Sequence, residues 1–270
     1  MEKQPRPRPA ISGSITTLNE EHNITDCIRS LQRVCDEIIV VDSLSNDRTV
    51  EIAKSLGAKV IPQEYLGDGP QKNVSLAYVK NDWILSLDAD ERLDDEAVES
   101  IKALDLGASR EPSYGFRKKN YIGSRWISCS GLYPDIRGRL YNRHRTRWDT
   151  ALGHTRLVIR STCLLEGHLL HYAYRDYSHY LEKIFKYSKR GAKMLYDQGK
   201  SSTPLKAAFH GFGSFIKNYL LRRGCVGGLD GLTVSLIAAV ASYMKYAYLV
   251  EMVRAHQEAF DAPQEKCPEA

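Results

Sequence analysis

The first hundred residues switch repeatedly between two hydrophobic periods, and no other feature restricts the fold as much. Residues 11–18, 37–42, 58–62 and 82–87 read as short strands; Ile38-Ile39-Val40-Val41 and Trp83-Ile84-Leu85-Ser86-Leu87 are the clearest. Apolar runs of this length between polar flanks predict strands buried on both faces. Between them Ile24, Cys27, Ile28, Leu31 and Val34 recur at helical spacing, with Asn19 as the expected N-cap. Residues 47–56 give a second helix, closed by Gly57. Gly67-Asp68-Gly69-Pro70 opens a third, with Pro70 in its first turn. Strands separated by such helices predict right-handed βαβ units and a mostly parallel, Rossmann-like α/β sheet.

From about residue 114 the alternation stops. Residues 114–175 are rich in Tyr, Arg and His and read as short mixed strands and loops. Beyond Asp176 the pattern turns helical: Leu181, Ile184, Phe185 and Ser188 mark one helix, residues 209–221 another, and Gly224, Gly227 and Gly228 precede a last one running to about residue 259. The expected organisation is a disordered tail (1–10), a catalytic domain (11–175, with halves 11–105 and 106–175), a helical extension (176–260) and a tail (261–270). Residues 1–9 alternate Pro with basic residues and carry no apolar segment of a signal peptide. The longest apolar stretch, 232–244, is broken by Thr233, Ser235 and Ser242 and falls short of the roughly 20 residues that span a bilayer. Six cysteines without a C-x-x-C pair read as thiols in a reducing compartment. A net charge of +5 is too mild to indicate a nucleic-acid partner. A cytoplasmic protein is expected, with peripheral contact to a membrane surface left open.

The predicted strand ends collect acids. Asp42 ends the second strand, Asp88 and Asp90 of Asp88-Ala89-Asp90-Glu91 end or follow the fourth, and Glu20 lies just past the first. Ligands of open parallel sheets sit at this rim. Crowded carboxylates repel unless a cation or a hydrogen-bond donor joins them. A D-x-D there suits a hard divalent cation that in turn holds a diphosphate. The competing reading is that each acid caps the helix that follows.

In order, Thr17-Leu18-Asn19-Glu20-Glu21, Asp36-Glu37-Ile38-Ile39-Val40-Val41-Asp42-Ser43, Gln71-Lys72-Asn73 and the run from Asp82 to Glu91 resemble an inverting family 2 glycosyltransferase of GT-A fold. Gly131-Leu132-Tyr133-Pro134-Asp135, Arg139-Leu140-Tyr141 and Leu170-His171-Tyr172 resemble the acceptor side of one branch. That branch adds a β-linked sugar, typically glucose, to the lipopolysaccharide inner core. The resemblance implies that Thr17, Glu20 and Asp42 contact uridine and ribose. It places Lys72 and Asn73 on the nucleotide, where a helix N-terminus also suits a diphosphate. It gives Asp88 to the ribose or the metal, Asp90 to the metal and His171 to the metal as a further ligand, with His154 a weaker candidate. Mg²⁺ or Mn²⁺ is the cofactor so implied, to neutralise charge on the departing UDP. The implied partners are a UDP-sugar donor and a glycan or lipid-linked glycan acceptor.

Inverting transfer needs a carboxylate to take the acceptor hydroxyl's proton. Asp135 is the first candidate and Asp149 the second; Asp135 also reads as a turn residue after Pro134. Related proteins often carry a His-Glu pair where this chain has His154-Thr155. Of the aromatics Tyr121, Trp126, Tyr133 and Trp148, one or two are expected to offer a face to the acceptor. Tyr133, Trp126 and Arg139 are the acceptor candidates. Arg137, Arg139, Arg143, Arg145 and Arg147, with Lys118 and Lys119, form a basic region that suits phosphate or carboxylate if it is more than a solvated face. Lys217, Arg222, Arg223 and Lys245 surround apolar stripes in the helical extension, which fits either an anionic inner leaflet or packing on the catalytic domain or a second subunit. Two alternatives keep the fold: transfer to a polyprenyl phosphate, and nucleotide-sugar binding without transfer. A nucleotidyltransferase is disfavoured, because Thr16-Thr17-Leu18-Asn19 is not a Gly-rich, Lys-containing phosphate loop.

Overall fold

The computed structural model describes residues 9–150, 156–158 and 162–261. The chain divides into two compact units, Met1–Trp126 with Tyr133–Ala173, and Ile127–Leu132 with Tyr174–Ala270.

In the first unit the parallel strands are β1 (Ile11–Thr17), β2 (Glu37–Asp42), β3 (Lys59–Pro62) and β4 (Trp83–Asp88). β1 lies between β2 and β4, and β2 pairs with β3, all in parallel. The rest of the sheet is β5 (Glu91–Leu93), β6 (Ser113–Ile122), β7 (Arg125–Trp126), β8 (Asp135–Asn142) and β9 (Cys163–Tyr174). Among the described residues these make one sheet in the order β3-β2-β1-β4-β8-β6-β9-β5, with β7 on β6. β8 joins β4 antiparallel, and β9 returns antiparallel to β5. The strands hidden in 114–175 are therefore an antiparallel continuation of the parallel sheet.

The helices of this unit are α1 (Ile24–Gln32), α2 (Thr49–Ser55), α3 (Asp68–Val74) and α4 (Asp95–Lys102). Ile15, Ile28, Leu31, Val40, Leu85 and Phe116 belong to one buried cluster, and Ile39, Ile84, Tyr141 and Trp148 to a second. Each such side chain contributes about 1.5–3 kcal/mol when fully buried. Asn19 is not the N-cap of α1. It takes a left-handed backbone (φ 54), donates its N–H to Ser45 Oγ (2.9 Å), and accepts the Asn46 N–H at its side-chain oxygen (2.9 Å). Asn tolerates this conformation because its short amide satisfies nearby backbone, so here it ties the loop after β1 to the loop after β2. Gly167 (φ +85) is required where β9 passes the start of α4, since a Cβ there would lie 2.1 Å from Ala97 N.

The second unit holds α5 (Tyr177–Asp197), α6 (Pro204–Ile216) and α7 (Gly228–Asp261). Asp176 caps α5 by accepting the His179 N–H, and Thr203 caps α6 by accepting the Lys206 N–H, with Pro204 following it. α6 thus begins earlier than residue 209, and residues Lys217–Leu221 form a wider helical turn after it. The expectation drawn from 232–244 needs correction, because the helical stretch Gly224–Glu258 is long and apolar enough to cross a bilayer by length and composition. Counting uninterrupted apolar residues fails here, since a helix absorbs serine by bonding its hydroxyl to a backbone carbonyl. Ser235 Oγ donates to Gly231 O (2.7 Å) in this way. Three further serines bond between helices: Ser188 Oγ to Ala241 O (2.9 Å), Ser214 Oγ to Ala238 O (3.1 Å) and Ser242 Oγ to His210 O (3.1 Å). α7 is thereby tied to both α5 and α6.

Candidate active site

The parallel register sets the rim. At the end of β1, Thr17 lies opposite Asp42 on one side and Thr16 opposite Asp88 on the other. Asp42 is buried and turns the chain, its oxygens accepting from the Ser45 N–H (2.9 Å) and Ser45 Oγ (2.5 Å). Thr17 Oγ1 is buried beside it with no hydrogen-bond partner among the described residues. An orphaned hydroxyl at a strand end is costly unless a ligand satisfies it. Glu20 accepts from Asn23 Nδ2 (2.7 Å), while its carbonyl accepts the Ile24 N–H (2.9 Å), so it braces the entry to α1.

Asp88 sits in a network that local sequence does not announce. Lys72, 2% exposed, reaches it from α3; the ammonium donates to Asp88 Oδ1 and to Thr16 Oγ1 (3.3 Å). From β8, Arg139 Nη2 donates to Asp88 Oδ2 (3.1 Å) and to Glu91 Oε1 (2.6 Å), while its Nε donates to Glu91 Oε2 (2.9 Å). Glu91, fully buried, also accepts the Asp88 N–H (3.1 Å). Burial works against the Asp88 charge, but Lys72 and then Arg139 outweigh it and hold the carboxyl well below the usual carboxylate range. Trp148 lies under both cations, 5.1 Å from Lys72 Nζ and 5.5 Å from Arg139 Cζ to its ring centre. It is 1% exposed, so it serves as a wall and not as a sugar platform. Beneath the rim, the Cys27 thiol donates to Asp88 O (3.5 Å); burial, then Glu91, Asp90 and Asp88, push it well up, keeping it protonated.

Asp90 faces a different partner. Pairing of β5 with β9 sets Glu91 opposite His171, and the Tyr172 N–H donates to Asp90 O (2.8 Å). His171 Nε2 comes to 3.5 Å from Asp90 Oδ2. Its Nδ1 is 2.7 Å from Asn120 Oδ1. Donation from Nδ1 to that oxygen leaves Nε2 as a lone-pair nitrogen facing a carboxylate, the arrangement in which a histidine ligates a metal. The carboxylate oxygen suits Mg²⁺ or Mn²⁺, whereas the imidazole is a ligand more typical of Zn²⁺ or Fe²⁺. His168, three residues away on the same strand, projects elsewhere, since strand side chains alternate faces. Its ring pairs with Asp94 Oδ2 (3.2 Å) and with Tyr133 Oη (3.2 Å). Asp94, Glu96 and His168 bring ligand atoms within 4.8 Å of one another. Asp94 Oδ1, however, already accepts the Ala97 N–H (2.9 Å) and the His168 N–H (3.0 Å), so this cluster closes on itself.

The remaining predicted residues separate. Trp126 and Tyr133 meet edge to face at 5.3 Å. Arg139 is not with them: a buried guanidinium requires carboxylate partners, and its partners are Glu91 and Asp88. Asn73 spends its amide on Trp148, donating to its carbonyl (3.0 Å) and accepting its N–H (3.1 Å). Asp149 lies on that same loop, with its carbonyl oxygen 1.7 Å from where a Cβ on Gly69 would sit. Asp135 begins β8 and is held by Lys118 Nζ (3.2 Å) and Arg137 Nε (2.9 Å). Tyr121 is stacked on Tyr172 at 4.6 Å. The basic run is not one surface, because Arg143 donates to Val79 O (3.1 Å) and Arg145 to Ser109 O (2.9 Å). His154 and Thr155 lie outside the described residues. Asn120 and Asp94 gave no functional signal in the sequence, and Glu91 entered only as part of the Asp82–Glu91 run, because their side-chain partners His171, His168 and Arg139 lie tens of residues away along the chain.

Residues 14–106 match the model of Glycosyl transferase family 2. An uncharacterized glycosyltransferase of Rickettsia typhi is 34% identical over 254 residues, covering 90% of this chain and 87% of that one. The chain belongs to glycosyl transferase family 2. It is a transferase, and its sheet, parallel at one side and antiparallel at the other, is GT-A-like. The matched segment contains Thr17, Asp42, Lys72, Asp88 and Asp90. A second relative is the lipopolysaccharide core biosynthesis glycosyltransferase LpsC of Rhizobium meliloti, 26% identical over 253 residues, 91% of this chain and 93% of that one. Among solved structures, S. aureus TarS 1–349 aligns over 92% of both chains at 15% identity and a TM-score of 0.47.

Proposed function

We propose that this family 2 glycosyltransferase transfers a hexose, glucose in the first instance, from a UDP-sugar to a lipopolysaccharide core glycan, with inversion and with a divalent cation. The observation that carries the reading is Asp90 facing Nε2 of His171, 3.5 Å apart, beside Asp88 at the strand end. Asp90 and His171 would hold Mg²⁺ or Mn²⁺, which supplies charge neutralisation for a departing diphosphate. Asp42 and the orphaned Thr17 hydroxyl bind the uridine and ribose. Lys72 and Arg139 keep Asp88 ionised and oriented. Trp126 and Tyr133 offer adjoining aromatic faces to the acceptor sugar. Asp135 accepts the proton of the attacking hydroxyl, its carboxylate oriented by Lys118 and Arg137.

The full-length likeness to a lipopolysaccharide core transferase supports the acceptor class. The scattered thiols of Cys27, Cys129, Cys163 and Cys225 support a cytoplasmic setting.

UDP release measured across a panel of UDP-sugars, with deacylated core acceptor and with Mn²⁺ or a chelator, tests the reading. Turnover with UDP-glucose that the chelator abolishes is expected; equal turnover in the chelator sinks the metal role. Asp135→Asn should lower kcat by roughly 10²–10⁴ while UDP-sugar binding persists; near-normal transfer by this variant removes Asp135 as the base.

A further inference from the structure

We infer that the second unit carries a docking face for an anionic phospholipid surface, built from α6, the turn after it and one side of α7. On α6, Leu205, Phe209 and Phe212 are each about two-thirds exposed. Their spacing of four and three residues puts them on one helix face. Leu220, Leu221 and Val226 continue the exposed apolar series through the following turns, with Leu221 at 78%. On α7 the exposed Leu229, Leu236, Val240 and Tyr243 also share a face, at spacings of seven, four and three. Tyr243 packs on Gly211 of α6, its Cβ 3.0 Å from where a glycine Cβ would be, so the two faces adjoin. A recess of about 400 Å³ lined by Leu205, Lys206, Phe209 and His210 opens there. Water-facing aromatic and leucine side chains in a continuous patch mark an interaction surface.

The charge pattern selects the partner. From residue 198 to residue 229 the chain contains no Asp or Glu, whereas Lys206, Lys217, Arg222 and Arg223 are all exposed. Lys245 does not belong to this set, because it lies along α5 at Gly191. Apolar residues that enter the headgroup boundary beside exposed cations, with Asp230 the one acid between residues 198 and 250 and bonded by Tyr177 Oη, match an anionic bilayer. A second copy of this chain is the poorer occupant, since a two-fold contact brings identical cations together. A spanning α7 is also the poorer reading: Val234, Ile237, Leu249 and Val250 are buried, and serine bonds tie the helix to α5 and α6 on other sides. Docking of this kind depends on neither the donor nor the acceptor.

The test is flotation of the full-length protein with vesicles of phosphatidylethanolamine and phosphatidylglycerol, against vesicles of phosphatidylcholine. Binding to the anionic vesicles, released by high salt and by alkaline carbonate, is expected. Lys217→Glu with Arg223→Glu should weaken it by roughly fivefold or more per cation, and Phe209→Ser with Phe212→Ser should weaken it without changing UDP release on a water-soluble acceptor. Should the Phe variants misfold by circular dichroism, the charge variants at exposed positions still decide the matter. Carbonate-resistant binding that is indifferent to lipid charge overturns the inference in favour of a span. So does a dimer, seen by light scattering, that the Phe variants dissociate while the wild type ignores vesicles.

Discussion

Asp88 is the most committed residue of the rim. It is bonded to Lys72 and Arg139, whereas Asp90, two residues on, faces a histidine. The D-x-D pair is therefore divided: one carboxylate is held by two cationic side chains and the other faces an imidazole. Arg139→Met should cost about 3–5 kcal/mol in denaturant unfolding, because it strands the fully buried Glu91 carboxylate. Combining it with Glu91→Gln should cost less than the sum, since the two share one interaction. Asn120→Ala should weaken Mn²⁺ binding by about 10–100-fold in titration calorimetry through loss of the His171 orientation, with cation-free UDP binding unchanged.

At the scale of elements, the parallel strands and their helices were readable because each period is local. Burial on both faces makes β2 and β4 continuous apolar runs, and α1 shows its core stripe directly. β6, β8 and β9 were not readable as a sheet. Their Arg, Lys and Tyr interrupt the alternation, and two of those side chains, Lys118 and Arg139, are held inward by ion pairs that form only across strands. The loop carrying Trp148 shows the same dependence on distant partners, as it is fixed by Asn73 and by Gly69 on α3. Gly69→Ala should displace that loop, at about 1–3 kcal/mol, and should lower UDP-sugar affinity measured by fluorescence quenching. Asn73→Ala should reproduce the affinity loss with a comparable stability cost of about 1–3 kcal/mol for the unsatisfied backbone groups.

At the scale of the whole molecule, the depressed Asp88 carboxyl has a signed consequence for stability. A carboxylate with a lowered native pKa stabilises the fold fully above its unfolded value of about 3.9 and loses that contribution as pH falls below it. Asp88 should therefore add nothing to the pH dependence of melting between about pH 5 and 8 and should contribute to an acid limb below about pH 4. Lys72→Met removes the leading cation and brings the native pKa back toward the unfolded one, so the acid limb in thermal melts should become shallower.

The sequence by itself determined the α/β class, the parallel half of the sheet and the collection of Asp42, Asp88 and Asp90 at one set of strand ends. Periodicity and strand polarity are properties of neighbouring residues, and a parallel sheet delivers its strand ends to one rim whatever else the chain does. Tertiary structure alone decided what each of those acids faces. Arg139 is 51 residues from Asp88 and His171 is 81 from Asp90, and only the antiparallel return of β8 and β9 brings them there. A buried charge is settled by whichever partner the fold carries to it, and that choice leaves no local trace in the sequence.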